Sequence, residues 1–485
     1  MITLENILQG VQIVKVYGNT NLTVKTICSN SQKSTSGALF VAIAGTANDG
    51  HNHINDAVKL GANVIVCQVF PSDLAAHVVY IQVNDSSEAL GRIASNFYGN
   101  PSKKLKLIGV TGTNGKTTTA TLLYELFRVM LFPAGLFSTI KILINDIEYP
   151  ATHTTPDAIE LNRIMAQMVD DDCEYCFMEV SSHAVEQKRI AGLTFAGGIF
   201  SNITQDHLDY HKTMELYIRA KQKFFDILPE TAFALTNIDD KNGNIMVQNT
   251  KAKRYSYALK RPANFKARVI SKQMEGMLLD FDSTEFWTAL IGEFNAYNLL
   301  SVYAVSMILG FEKEEILTAL SKQHPVKGRF ERYRSQSGIY VIVDYAHTPD
   351  AVANVLTTIN DIRSGNERVI TVIGAGGDRD KGKRPLMAKE AAHYSDILIF
   401  TSDNPRSENP NEIIEDMKHG LAGNMNCRTI TISDRKEAIK TATVMAKKGD
   451  IILIAGKGHE TYQEINGKRY PFDDMSIAIE YMSNI

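Results

Sequence analysis

The stretch Leu105-Lys106-Leu107-Ile108-Gly109-Val110, running straight into Thr111-Gly112-Thr113-Asn114-Gly115-Lys116-Thr117-Thr118, constrains this chain more than any other segment. The first six residues read as a buried strand, the glycine-bearing residues as a tight turn, and the periodic pattern on to about Met130 as a helix. Strand, glycine turn and helix in that order are the setting a phosphate loop needs. Glycines let backbone N–H groups close around phosphate oxygens, and the helix N-terminus favours an anion. Lys116 can reach β- and γ-phosphates, and the Thr117 hydroxyl can ligate Mg²⁺. The spacing is the short G-x-x-G-K-T, because Val110 stands where the longer motif has its first glycine. The plainer alternative is a glycine turn used for packing. Such a loop names ATP or GTP and leaves the fate of the nucleotide open.

A chain of 485 residues exceeds one ordinary core,. Three α/β domains are expected. In residues 1–101, strand-like runs (Ala38 to Ala44, Ala62 to Val69, Val78 to Val83) alternate with helix-like ones (Ile54 to Leu60, Ser87 to Tyr98), up to the turn Gly99-Asn100-Pro101-Ser102,. Residues 102–332 carry the phosphate loop, apolar strands near Tyr175 to Val180 and Phe195 to Asn202, and a helix around Met214 to Ile227, the layout of a nucleotide-binding domain with a parallel-rich sheet,. A break near Gly328 to Gly338 precedes residues 333–485. There the strands Tyr340 to Asp344, Arg368 to Gly374, Asp396 to Thr401 and Asp450 to Ala455 alternate with helices, predicting a doubly wound, Rossmann-like domain,.

Composition excludes some classes of function. The formal net charge of -3 provides no global basic field for nucleic acid or anionic membrane,. No signal peptide is read at the N-terminus, and no run of about 18 apolar residues suggests a membrane span. Five scattered cysteines (28, 67, 173, 176, 427) suit a reducing compartment, so a cytoplasmic protein is expected,. Cys173 and Cys176 form a C-x-x-C that leads into an apolar strand, and packing is the simpler reading.

Two polar clusters follow apolar strands. Glu179, in Met178-Glu179-Val180-Ser181-Ser182-His183, sits at a strand's carboxyl end beside the phosphate loop, where a hard cation needs carboxylate oxygen,. The next strand ends in Asn202-Ile203-Thr204-Gln205-Asp206-His207-Leu208-Asp209-Tyr210-His211. An isolated histidine there would be an ordinary loop residue. Next to a phosphate loop, the cluster reads as ligands or phosphate contacts.

Together, T-G-T-N-G-K-T-T, M-E-V-S-S-H, D-H-L-D-Y-H and A-K-x-x-x-F resemble the Mur ligases, over nearly the whole chain; folylpolyglutamate synthases share only the loop and part of the cluster. The resemblance implies that Lys221 is carboxylated by CO₂, giving an anion that holds a second Mg²⁺, with Glu179 and His207 completing a metal site that also draws on Thr117. Lys116, Lys221, His207 and Glu179 would be catalytic. On sequence alone Lys221 is a solvated helix residue, easily confused with Lys223. ATP would lie on Gly112, Thr113, Asn114, Gly115, Lys116, Thr117 and Thr118, with Asn295 on the adenine side and Arg329 and Asp344 closing from the hinge and the last domain. The first domain would bind a UDP-sugar dipeptide through Ser31, Thr46, Ala47 and Asn48, and the second through His153, Thr154, Thr155, Ser181, Gln187 and Arg189. Where the family usually has D-S-R, this chain has Asn30-Ser31-Gln32, and His153 replaces a frequent Asn.

The D-N-P-R of Asp403, Asn404, Pro405 and Arg406 resembles the signature of family members that add meso-diaminopimelate. A distal carboxylate suits a bidentate guanidinium, whereas lysine would leave Arg406 unpaired. Arg379 supplies a second cation, and Gly456 with Glu460 a carboxylate for the distal ammonium. Gly374-Ala375-Gly376-Gly377 is not a dinucleotide fingerprint, since Arg379 holds its sixth position. The implied activity is an ATP-dependent amide ligation through an acyl phosphate in peptidoglycan precursor synthesis, by a monomer that partners only small molecules. The C-terminal domain would rotate closed about residues 330–338. The alternatives are a lysine-adding member of the same branch and a nucleotide-dependent binding switch.

Overall fold

Leu107 and Ile108 are neighbours on one strand, and both are fully buried, each in a different hydrophobic cluster. Successive strand residues point to opposite faces, so a strand buried at both must lie inside a sheet covered on both sides. The computed structural model describes residues 2–45, 48–151, 153–421 and 427–483. Thr46 and Ala47, two of the residues expected to contact a sugar nucleotide, lie outside the described residues.

The central sheet has eleven strands. Lys106–Thr111 lies inside it, parallel to Tyr175–Glu179 on one side and to Gly197–Phe200 on the other. Glu179 is in register with Val110, and Phe200 with Thr111. The loops after these three strands therefore open at one edge, the carboxyl end where ligands of open α/β sheets bind. Antiparallel strands close both margins of the sheet.

A six-stranded sheet follows, in the order Glu331–Arg334, Tyr340–Asp344, Ile451–Ala455, Val369–Ile373, Ile397–Phe400, Arg428–Thr431, parallel except at its first strand. Ile342 and Leu398 pack on one face with Val352, Leu356, Met387 and Ile413, while Val341 and Ile399 pack on the other with Ile439, Ala442 and Ala478. Helices on both faces make this the doubly wound sheet expected. The N-terminal sheet has five strands, parallel except for the edge strand Ile13–Tyr17. Its helix Ser86–Phe97 faces the central domain, where Lys188 holds Asp85 and Glu88, each at 2.8 Å. Among the described residues, no helix is long and apolar enough to cross a membrane.

The break read at 328–338 is not loop throughout. Glu331–Arg334 pairs antiparallel with Tyr340–Asp344 and so belongs to the third sheet, and the residues just before it are carried with that domain, since Phe330 N donates to Asp344 and Gly328 O accepts from Tyr345 N. Its E-R-Y-R sequence reads as surface because it is an edge strand, where charge blunts a free hydrogen-bonding margin.

The phosphate-loop helix Lys116–Val129 carries one half-buried acid. Burial pushes the Glu125 carboxyl up to about 7, against the pull of Lys141. Because the folded value exceeds the unfolded one, this group's stability contribution is intact below its unfolded value and is lost as pH rises through the folded value. Glu125→Gln should therefore stabilise the protein at pH 8 by about 2 kcal/mol and leave it unchanged in acid. Urea unfolding of both chains across that range measures it; parallel pH profiles would refute the assignment.

Candidate active site

The phosphate loop is set by contacts that only glycine permits. Gly115 has φ +86°, and a Cβ there would lie 2.6 Å from Asn298 Oδ1; a Cβ on Gly112 would meet Ser201 Oγ. The following strand's end pins the loop: Asn114 N donates to Asn202 Oδ1 at 2.9 Å, and Ser201 Oγ donates to Asn114 O at 2.6 Å.

Two lysines converge on a single carbonyl. Lys116 Nζ donates to Gly112 O at 2.8 Å and to Thr113 O at 2.7 Å, and Lys221 Nζ reaches the same Gly112 O at 2.7 Å. Lys221 is 1% exposed, so the solvated residue expected from sequence is in fact interior. It shares the inward stripe of helix Met214–Asp226 with Tyr217, Ala220, Phe224 and Phe225. Lys223 instead faces solvent and pairs with Glu186 at 2.7 Å. Burial, reinforced by Lys116, drives the Lys221 amine well below the ordinary lysine range and favours its neutral form,. Burial also lowers Lys116, with Glu179 and Asp206 opposing.

Glu179 is likewise 1% exposed and accepts from Thr139 N at 2.6 Å and Thr139 Oγ1 at 3.1 Å. Burial holds the His207 imidazole down in spite of Asp206, with Lys116, His183 and Lys221 adding to the effect, so a neutral ring nitrogen faces the site. Against its own burial, Asp206 is kept ionised by His347, His207 and Lys383. Among the described residues no three His, Cys, Asp or Glu side chains form a metal cluster. Glu179, His207 and the Thr117 hydroxyl nonetheless suit Mg²⁺, which takes one or two carboxylates and fills its shell from phosphates and water.

These groups line a cavity of about 660 Å³ whose other wall comes from the third domain, with Arg329, Asp344, Tyr345, His347, Asp350 and Arg379. Arg329 Nη2 donates to Thr117 Oγ1 at 3.2 Å, and its guanidinium lies 4.5 Å over the Tyr345 ring. Burial raises the Asp344 carboxyl to about 6, opposed by Arg329 and by the N–H of Phe330, which donates to it at 2.7 Å. Sequence reasoning missed Asp350, which accepts from Asn114 Nδ2 of the phosphate loop at 3.0 Å, and Lys383, 4.0 Å from Asp206. Both contacts cross domains and leave no local signal.

Asn295 is not where the adenine contact was expected. It is 4% exposed, donates to Ile291 O at 2.8 Å and accepts from Asn298 Nδ2 at 3.1 Å. Phe294, Tyr297 and Asn298 face the cavity instead.

Among the expected dipeptide contacts, His153, Thr154, Thr155, Ser181 and Arg189 line the cavity. Thr155 Oγ1 donates to Glu179 O at 2.8 Å and accepts from Ser181 N at 3.2 Å. Arg189 donates to Thr155 O at 2.7 Å and twice to Gln187 Oε1, which fixes that loop. Ser31 is buried in the first domain and Asn48 is exposed; among the described residues neither lines this cavity, nor does Gln187.

The expected amino-acid contacts gather beside the third sheet's carboxyl end, and of these Arg379 reaches the cavity. Asp403 Oδ1 accepts from Asn404 N at 2.6 Å. A side chain at Gly456 would strike the other Asp403 oxygen. The Pro405 backbone lies against Gly377, and Arg406 Nη1 donates to Gly377 O at 2.6 Å. Asn404 Nδ2 donates to Glu460 Oε2 at 2.7 Å.

Three family models match the chain: "Mur ligase family, catalytic domain" over residues 23–98, "Mur ligase middle domain" over 110–306 and "Mur ligase, glutamate ligase domain" over 328–458. A Bacteroides fragilis protein named UDP-N-acetylmuramoyl-L-alanyl-D-glutamate--2,6-diaminopimelate ligase is 55% identical, covering 99% of each chain. A protein of the same name from Cytophaga hutchinsonii is 53% identical, again over 99% of each chain. A solved structure of a ligase of that name superposes with a TM-score of 0.71 at 29% identity, covering 100% of this chain and 99% of that one.

Arg329 touches both the loop threonine and an aromatic face, a geometry that a lysine cannot reproduce. Arg329→Lys should weaken binding of a non-hydrolysable ATP analogue about tenfold, read by titration calorimetry, with the thermal midpoint unmoved. Unchanged affinity would separate Arg329 from the nucleotide.

Proposed function

The chain belongs to the Mur ligase family, and from that premise we propose that it is an enzyme that joins meso-diaminopimelate to UDP-N-acetylmuramoyl-L-alanyl-D-glutamate, using ATP. The observation that carries the reading is the shared chamber: the phosphate loop, Lys221, Glu179 and the Arg379 of the amino-acid cluster line one cavity.

ATP lies along Gly112 to Thr118, with its γ-phosphate near Lys116 and Arg329. The dipeptide's D-glutamyl carboxylate attacks that phosphorus, forming an acyl phosphate and ADP. The diaminopimelate amine then attacks the acyl carbon, an amide forms and inorganic phosphate leaves. Phosphoryl transfer asks mostly for positioning and charge compensation. Lys116 and Arg329 provide that compensation from this chain. Thr117, Glu179 and His207 would hold Mg²⁺, and Lys221, as a carbamate, would hold a second ion; bound there, the ions offset the charge of the transferring phosphate. Burial and the neighbouring Lys116 favour the neutral amine of Lys221, the form that adds CO₂, and this supports the carbamate.

The first domain is assigned to the UDP-sugar end through Ser31, Asn48 and their neighbours, and the second, with Thr155 and Arg189, to the dipeptide. In the third, Arg379 and Arg406 take the distal carboxylate of diaminopimelate and Glu460 its distal ammonium. The third domain reaches the loop through Arg329 and Asp350. Closure is therefore a rotation about the connection that precedes Glu331–Arg334.

Phosphate release from ATP and the UDP-dipeptide, with meso-diaminopimelate, L-lysine or no amino acid in parallel, tests the reading. Release should require diaminopimelate; release with lysine alone would overturn the assignment of Arg406, and release indifferent to both would remove the ligase. Lys221→Ala should lower that rate at least about 100-fold, whereas Lys223→Ala should leave it within about twofold. Small-angle scattering should show a smaller radius of gyration once ATP analogue and dipeptide are both bound, and an unchanged curve would count against closure.

A further inference from the structure

Lys457 is 0% exposed, on the turn after the strand Ile451–Ala455. Its ammonium donates to Asn404 Oδ1 at 3.0 Å and to Glu460 Oε2 at 2.9 Å. Asn404 Nδ2 donates to that same Glu460 oxygen at 2.7 Å. The three side chains thus close a ring that fixes which way the Asn404 amide points, since its oxygen must face the ammonium and its nitrogen the carboxylate. Asn404 Oδ1 also accepts from Glu464 N at 2.9 Å, so the ring is tied to the backbone.

The ring divides the Glu460 carboxylate into two unequal halves. Oε2 takes two donors, while among the described residues Oε1 meets only the Tyr345 hydroxyl, at 3.5 Å. A carboxylate that must receive an ammonium ion needs one oxygen held and the other open, and a held acceptor loses less freedom on binding. We propose that Lys457 is a positioning residue for amino-acid recognition, locking Oε2 of Glu460 so that Oε1 is aimed at the second ammonium group of a diamino-dicarboxylate substrate. The inference rests on the assignment of Glu460 made above. It adds the residue that sets the orientation of this acceptor, and with it the discrimination of substrates that carry a second ammonium from those that do not. A buried ammonium with no other task would be replaceable by an apolar side chain at little cost to selectivity.

Lys457→Met keeps the unbranched side chain as far as Cε and removes the ammonium, with its charge and its donors. The test compares meso-diaminopimelate with 2-aminopimelate, which keeps the nucleophilic amine and both carboxylates but lacks the second ammonium. Each is measured as KM or, where turnover is too slow, as an inhibition constant against diaminopimelate. The KM for diaminopimelate should rise about tenfold, while kcat, the KM for ATP and the constant for 2-aminopimelate stay within about twofold. A general structural defect would move both amino acids together. If the methionine variant is insoluble, Lys457→Gln, whose amide can still serve one of the two acceptors, should give a smaller rise with the same selectivity. Equal shifts for both amino acids, or no shift for either, would overturn the role of Lys457. A wild-type enzyme indifferent to diaminopimelate would instead remove the underlying assignment.

Discussion

Lys116 and Lys221 donate to one carbonyl oxygen, that of Gly112, and both line the cavity. Two ammonium ions on one acceptor each disfavour the other's charge. Lys221 is pressed furthest toward its neutral form, by burial first and by Lys116 second. Much of the site follows from this. In the proposed reaction Lys116 serves the phosphates and the amine of Lys221 takes up CO₂, while Glu179 and Asp206 oppose the loss of charge at Lys116. Gly112 carries no side chain partly because Ser201 and Asn202 crowd the same point.

Strand-to-loop transitions were legible in the sequence because a strand buried on both faces is a continuous apolar run with punctuation at its end. Lys106–Thr111, Tyr175–Glu179 and Tyr340–Asp344 were all found that way, and each delivers a site residue. Lys221 was misread as solvated although its spacing from Tyr217 and Phe224 places it on the buried stripe; the identity of the residue outweighed its periodicity. Asn295, expected at the adenine, differs in the opposite sense, being buried where a ligand contact was expected. It sits in a helix apolar almost all round, where a polar side chain turns back onto its own backbone instead of toward a ligand,. Asp350 and Lys383 could not have been found locally, since their partners lie far away along the chain, and the Lys457 ring is closed by Asn404, 53 residues from Lys457.

The third domain does two jobs with one sheet. Asp344 ends a strand on the nucleotide side, and the parallel neighbour Ile451–Ala455 runs out into Gly456, Lys457 and Glu460 on the amino-acid side. Tyr345 lies between them, with its ring under Arg329 and its hydroxyl toward Glu460. Asp344 is in register with Ala455, so the residues proposed for the phosphate and for the amine leave adjacent strand ends, and their relative placement is as rigid as the sheet.

Arg329 bears on Thr117 from a domain other than the one that owns the phosphate loop. Competence for phosphoryl transfer is therefore distributed, and neither domain alone presents a complete set of charges to a nucleotide. Under the closure proposed above, such a chain would guard against idle hydrolysis by architecture: with the lobes apart the cationic enclosure of the γ-phosphate is incomplete, and their meeting would form it and squeeze out solvent in the same movement.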